Sequence, residues 1–324
     1  MDALQQLAHW PVDDVAAAVT APERSLNVAF GDTARVFPLA SVTKLLVAHA
    51  VLVAVEEGAV ELDTPAGPPG STVAHLLAHA SGLGPSTSSG GGTSSGGGTS
   101  SGGGTSSGGG TSSGGGTSSG GGTGRGVWTG PGGEPREVQA EPGTRRIYSS
   151  AGYEILAETV QEATGILFRD YLDEAVVQPL GMTATSLDGS AGYAASSNVD
   201  DLVRFAGELL VPQLISPQTA TAARTVAFGG LDGFVPGYGK FRPNDWGLGP
   251  ELKGAKNPHW TAHAHSPGTF GHFGQSGTFL WVDPVRKAAG VVLTDRAFGP
   301  WAKPLWSDFN QAVLAELDTE ERRA

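Results

Sequence analysis

Cysteine is absent from the 324 residues, which excludes disulfides, thiolate metal sites, thiol redox chemistry and a cysteine nucleophile together. Charged residues are scarce at 16%, and they are lopsided: 32 Asp and Glu against 20 Lys and Arg give a formal charge of −12. Phosphate binding needs clustered cations that release counterions, and no basic tract is present, so nucleic acid is not an expected partner. No run approaches the roughly 18 apolar residues of a membrane span. The opening "MDALQQLAHWPVDD" lacks the basic start, apolar stretch and small-residue cleavage site of a secretory signal. A cytoplasmic protein without a membrane partner is expected. Absent too, apart from G-T-S-S-G strings inside a Gly/Ser/Thr repeat tract, are a G-x-S-x-G elbow, an H-E-x-x-H pair and a Walker lysine element, so α/β-hydrolase, zincin and P-loop chemistries lack their key residues. No cofactor is implied.

What is present suffices for a packed core, since 39% of the residues are hydrophobic. Residues 88–123 are six perfect copies of "SSGGGT", with no apolar side chain and no charge. Ordering such a tract costs backbone entropy with no burial in return, so a flexible linker is expected there, its perfect repetition resembling an engineered one. Before it, "VAAAVTA", "SLNVAFGD" and "ARVFPLA" predict a three-strand antiparallel meander with a Gly-Asp turn. A helix follows from about Ser41 to Glu57, closed by Gly58, then a short one over "TVAHLLAHA". After the repeats, "SAGYEILAETVQEATG" places Tyr153, Leu156, Ala157 and Val160 on one helical face, "ILFRDYLDEAVVQPLG" continues the helix to Pro179 and Gly181, and "VDDLVRFAGELL" is a further amphipathic helix. Near the C-terminus "TFLWVDP" and "KAAGVVLTD" predict a hairpin across Asp283 and Pro284, and a last helix runs from about Pro304 to Glu320. The order implies an α+β fold, an antiparallel sheet flanked by terminal helices plus a mostly helical lobe. A single catalytic domain over 1–324 is expected, its sheet lobe about 1–40 and 225–324 and its helical lobe about 41–224, with a cleft between.

The chemistry gathers at "FPLASVTKLLVA". Ser41 precedes helix formers, a position at which most serines simply cap the helix. Lys44 lies one turn on, beside the Ser41 hydroxyl, among Val42, Leu45, Leu46 and Val47. Burial disfavours a lysine's charged form and turns it into a base for a hydroxyl. The ordinary alternative is a snorkelling lysine at a helix start.

Further blocks extend the pattern. "FPLASVTKLLVA", "STVAHLLAHASGL", "RRIYSSAGYEILAETVQEATG", "VVQPLGMTAT", "AASSNVDDLVRFAGELL" and "FGHFGQSGTFLWVDP" resemble, in order, the blocks of the serine β-lactamase-like hydrolases of class C type. That group includes class C β-lactamases, D-alanyl-D-alanine carboxypeptidases, D-aminopeptidases and related esterases. The resemblance covers about residues 15–310 apart from the repeats. It implies Ser41 as nucleophile, Lys44 as its general base, and Tyr148 as second base and acid, able as a phenolate to shuttle a proton to the leaving group. It implies that His272-Phe273-Gly274 occupies the Lys-Thr-Gly strand, and that Gln275 offers an oxyanion-hole N–H together with that of Ser41.

Two departures bear on function. Ser150 stands where the family usually has Asn, and His272 replaces a permanent cation that would pair with a substrate carboxylate. Both favour esterase-like cleavage of a small-molecule ester, amide or short peptide; β-lactamase or D-amino-acid peptidase/carboxypeptidase activity is the alternative, and a weakened binding or regulatory protein a further one. His75 with His79, and His259, His263 and His265 in "HWTAHAH", have metal-like spacings but read as structure and a cleft rim, so no metal is expected. Trp246, Trp260, Phe270, Phe273 and Phe279 are candidates for an acyl pocket, with ordinary core packing the equal alternative.

Overall fold

The computed structural model describes residues 1–85, 126–130 and 133–321; the SSGGGT repeats lie outside the described residues. After a 3-10 segment at Asp2–His9 come β1 (Val15–Ala21), β2 (Leu26–Phe30) and β3 (Phe37–Pro38), then α1 (Thr43–Glu56) and α2 (Val73–Leu77). The hairpin β4 (Gly126–Thr129) and β5 (Pro135–Val138) precedes α3 (Ser150–Thr164), α4 (Phe168–Leu172), β6 (Ser186–Leu187), β7 (Ala195–Ser197), α5 (Val199–Leu210) and α6 (Pro217–Ala223). A second hairpin, β8 (Gly233–Val235) and β9 (Gly239–Phe241), leads to β10 (Glu251–Leu252), β11 (Phe270–Gly274), β12 (Thr278–Asp283), β13 (Ala288–Thr294) and α7 (Ala302–Glu321). This is an α+β fold.

Among the described residues the main sheet has six strands in the order β10-β11-β12-β13-β1-β2, antiparallel throughout. Its central strands read as unbroken apolar runs because both faces are covered. From β1, Ala16 and Ala18 enter a core shared with α1, α3 and α5, while Ala17, Val19 and Ala21 enter a second core under α7. β12 divides the same way, Leu280 and Val282 to the first core and Phe279 and Trp281 to the second. Trp281 Nε1 donates to Asn310 Oδ1 at 2.8 Å, pinning α7 to the sheet. Glu316 of α7 accepts from the backbone N–H groups of Asp2 and Ala3 at 2.9 and 2.6 Å, which closes the N-terminal segment onto the same face.

Two expectations about elements need correction. "ARVFPLA" does not complete a meander with β1 and β2: Phe37 and Pro38 pair with Ser197 and Ser196 of β7. Proline has no N–H for a ladder, so this stretch suits a short edge pairing rather than a central strand. The helix expected from 150 to 181 also breaks. Gly165 ends α3 in the left-handed conformation at φ 73°, and α4 passes into a wider π turn at Asp173–Val177.

Candidate active site

Ser41 sits in the 3-10 turn Ala40–Val42 that opens α1. The preceding Ala40 adopts φ 46°, a left-handed conformation costing a non-glycine residue about 1–2 kcal/mol. That strained step turns the chain from Leu39 into α1 and leaves Ser41 half-buried at the mouth of a pocket. The end of β11 presses against the same turn. A Cβ on Gly274 would collide with the Leu39 carbonyl oxygen and lie 2.6 Å from Thr278 Oγ1. Thr278 in turn donates to Leu39 O at 3.0 Å. Only glycine lets the strand backbone approach so closely.

Lys44 is fully buried, at 0% exposure. Its Nζ lies 2.6 Å from the Gly192 carbonyl oxygen, 3.0 Å from Ser150 Oγ and 3.5 Å from Ser41 Oγ. The rings of Tyr148 and Tyr153 flank it, with centroids 4.7 and 5.4 Å from Nζ. Desolvation lowers its pKa from the ordinary 10.5 to about 7, against an opposing pull from Glu154. A neutral amine has two N–H groups and one lone pair. The Gly192 carbonyl can only accept and takes one hydrogen, which leaves one hydrogen and the lone pair for the two hydroxyls, Ser150 and Ser41.

Tyr148 is half-buried, yet desolvation pushes its phenol well above the usual range, outweighing a hydrogen bond with Ser41. It therefore rests protonated, which suits the acid part of its expected role and not a standing phenolate. Its hydroxyl lies 3.4 Å from His272 Nε2. His272 Nδ1 is 2.7 Å from the Phe273 carbonyl oxygen, which can only accept, so Nδ1 carries the proton and Nε2 is the acceptor. Burial first, then the charge of Lys44, lowers the His272 pKa to about 4. The histidine is thus neutral at pH 7.

The pocket over Ser41 has a volume of about 40 Å³ and is lined by Tyr148, Trp246, Glu251, His272, Phe273 and Gln275 with Pro236. Ser41, Lys44, Tyr148, Ser150 and His272 are thereby tied by direct contacts, and Gly274 and Gln275 follow on the same strand end. Of the aromatic residues expected to line an acyl pocket, Trp246 and Phe273 do so. Trp260 and Phe279 instead pack in the core under α7, and Phe270 in the core on the other face. The histidines engage separate partners. His75 meets Thr72 Oγ1 at 2.9 Å, His79 Nδ1 accepts from Ser149 N at 3.2 Å, His259 meets Glu251 Oε1 at 3.1 Å, and His265 Nδ1 accepts from Ala262 N at 3.1 Å. Among the described residues no group of three His, Asp or Glu side chains is placed to hold a metal.

Residues 12–314 match the beta-lactamase family. The chain belongs to the beta-lactamase family. It shares 50% identity with a solved β-lactamase of Mycobacterium bovis, with TM-score 0.80, over 97% of this chain and 99% of that one. A hydrolase named EstCE1, with promiscuous acyltransferase activity, has the same fold at 18% identity and TM-score 0.66, over 96% of each chain. A Salmonella heidelberg protein named as a D-alanyl-D-alanine carboxypeptidase is 24% identical over 214 residues, 52% of this chain and 49% of that protein. The chain thus spans about half the length of the curated relatives it matches.

Within this beta-lactamase-family fold, two sets of site residues carry no motif. Gly192 lies in the loop "DGSAGYAAS", and a Cβ there would sit 2.7 Å from Ser150 Cβ, so the loop can reach Lys44 only with glycine. Glu251, 2% exposed, is held by Lys256 Nζ at 3.0 Å, His259 Nε2 at 3.1 Å and Trp260 Nε1 at 2.8 Å. Burial alone would raise its pKa, but Lys256 and His259 together outweigh it and hold the carboxyl well below the usual range. A buried Lys–Glu pair was available as a signal in "ELKGAK", although nothing in the sequence places it beside Ser41. Arg146, two residues before Tyr148, donates to the carbonyls of Ala78, Ala227, Phe228 and Asn244 and anchors that segment.

Proposed function

We propose that this chain is a serine hydrolase that cleaves an ester or amide through an acyl-enzyme on Ser41. One observation carries the reading: Lys44 is buried with its Nζ 3.5 Å from Ser41 Oγ, and assigning its two amine hydrogens to Gly192 and Ser150 leaves its lone pair for Ser41. In acylation Ser41 Oγ attacks the carbonyl carbon and gives its proton to Lys44 Nζ. Tyr148 passes its proton to the departing oxygen or nitrogen and is reprotonated from Lys44. The backbone N–H groups of Ser41 and Gln275 hold the oxyanion. Water then attacks the acyl carbon and the same groups return the protons, releasing the acid and free Ser41.

Neutral His272 and the Glu251 carboxylate supply no cation for a substrate carboxylate at the pocket, which favours an uncharged ester over a β-lactam or a C-terminal peptide. The second reading, β-lactamase or D-amino-acid peptidase activity, is favoured by the 50% identity to the Mycobacterium bovis β-lactamase. The test is a panel of short-chain aryl esters, a chromogenic cephalosporin and D-amino-acid peptides, run beside an acylating probe read by mass. A single label on the Ser41 peptide, lost in Ser41→Ala, is expected, with turnover highest on the esters. Full labelling of Ser41→Ala would overturn the mechanism, and highest turnover on the cephalosporin would move the assignment to the second reading.

A further inference from the structure

Behind Lys44 the hydrogen bonds continue outward to a charged pair. Gly192, whose carbonyl holds Lys44 Nζ at 2.6 Å, donates its own N–H to Ser190 Oγ at 3.2 Å. Ser190 Oγ donates to Glu154 Oε1 at 2.7 Å. The other oxygen, Oε2, faces Arg136 Nη2 at 3.3 Å. Arg136 belongs to β5, is anchored by donation from Nη1 to the Ala151 carbonyl at 2.8 Å, and lies 3.9 Å from Glu158. Glu154 is thus one residue from Tyr153, whose ring flanks Lys44, and reaches the same lysine a second way through the 190–192 loop.

We propose that Glu154 is a positioning residue that tunes the basicity of Lys44, holding the Gly192 carbonyl in place through Ser190 and adding a negative field that Arg136 opposes. The inference rests on Lys44 acting as the base. Of the other titratable groups facing this site, Tyr148 and Tyr153 stay protonated because burial raises both, His79 and His272 stay neutral because burial lowers both, and the Glu251 carboxylate across the pocket is bound up with Lys256 and His259. Glu154 is the group whose charge raises Lys44 against desolvation. An opposite charge favours the ammonium, so losing the Glu154 charge makes Lys44 easier to deprotonate. Losing Arg136 leaves the Glu154 field unopposed and does the reverse.

The experiment compares pH profiles of kcat/KM on an aryl ester for the wild-type chain, Glu154→Gln and Arg136→Gln, with Ser41→Ala as blank. Glutamine keeps an oxygen for Ser190 while removing the charge. The acid limb should move to lower pH in Glu154→Gln, raising activity at pH 6, relative to its own plateau, roughly threefold for a displacement of about half a pH unit. It should move to higher pH in Arg136→Gln. A purely structural role would lower the plateau and leave the midpoint unmoved, and unmoved midpoints in both variants would overturn the proposal. A wild-type profile with no acid limb near pH 7 would overturn the Lys44 reading itself, and this inference with it. A normal wild-type limb with unshifted variants would overturn only the role of Glu154.

Discussion

The Gly192 carbonyl oxygen lies 2.6 Å from Lys44 Nζ across 148 residues of chain. On the proposed mechanism this bond directs the lysine: with Ser150 it takes the amine's two hydrogens and leaves its lone pair for Ser41. The loop carrying Gly192 can stand there because no side chain intervenes between it and Ser150.

Gly192→Ala should therefore misdirect Lys44, the proposed base. The added methyl would lie 2.7 Å from Ser150 Cβ and 2.9 Å from its carbonyl oxygen, forcing the loop back at a cost of about 1–3 kcal/mol. Ester kcat/KM is expected to fall roughly 10²-fold, as small misplacements at a reacting centre do. Steady-state kinetics beside a denaturant melt separates the two effects; an unchanged kcat/KM contradicts the role of Gly192.

Lys44 sets opposite pH dependences for activity and stability. With its pKa near 7, Lys44 is neutral above that value, so on the proposed mechanism kcat/KM should rise about tenfold per pH unit below it and level off above it. In the unfolded chain the lysine titrates near 10.5, so the folded state is penalised fully below pH 7 and the penalty fades as pH rises from 7 to 10.5. Lys44→Met should abolish activity, and its stability relative to wild type should be about 2–3 kcal/mol more favourable at pH 6 than at pH 9. Urea melts of both proteins at the two pH values check this; an equal difference at both would contradict a depressed lysine.

Glu251 predicts acid sensitivity. Its folded-state pKa is depressed, so its contribution is present above the unfolded value near 4.5 and is lost as pH falls below it. Glu251→Ala leaves the buried Lys256 without its carboxylate and should cost about 3–5 kcal/mol at pH 7. Chemical denaturation at pH 7 and pH 4 provides the measurement, with the variant's deficit shrinking at the lower pH.

Gly274→Ala tests the oxyanion wall. The new methyl would meet the Leu39 carbonyl, Thr278 Oγ1 and Ala40 Cβ, moving the β11 backbone away from Ser41. Removal of one oxyanion donor typically costs about 10²–10³ in kcat, and a loss of that order is expected with little change in KM. A KM effect alone would place Gly274 in binding rather than in transition-state stabilisation.

Much of this molecule was legible because its signals are local. Three residues on a helical turn bring Lys44 beside Ser41 whatever the rest of the fold does. The hairpin at Asp283 follows from two apolar runs around a turn, and Asp283 Oδ1 does accept from the N–H groups of Val285 and Arg286. Phe37-Pro38 misled because strand propensity does not say which strand will be the partner. Trp260, Phe270 and Phe279 took the core alternative, because nearness in sequence to His272 does not choose between the pocket and the core.

The sequence by itself determined most helices and the β12–β13 hairpin, the pairing of Ser41 with Lys44 on one turn, and the family blocks that carry Tyr148 and His272. The tertiary structure alone decided that the Gly192 carbonyl directs Lys44, that Glu154 stands behind it, and that a buried Glu251 lines the pocket. The division has a physical cause. Helical spacing depends on a few bonds of backbone, whereas desolvation and hydrogen-bond direction at Lys44 are sums over groups from α3, the 190–192 loop and β11 that only the packed chain brings together.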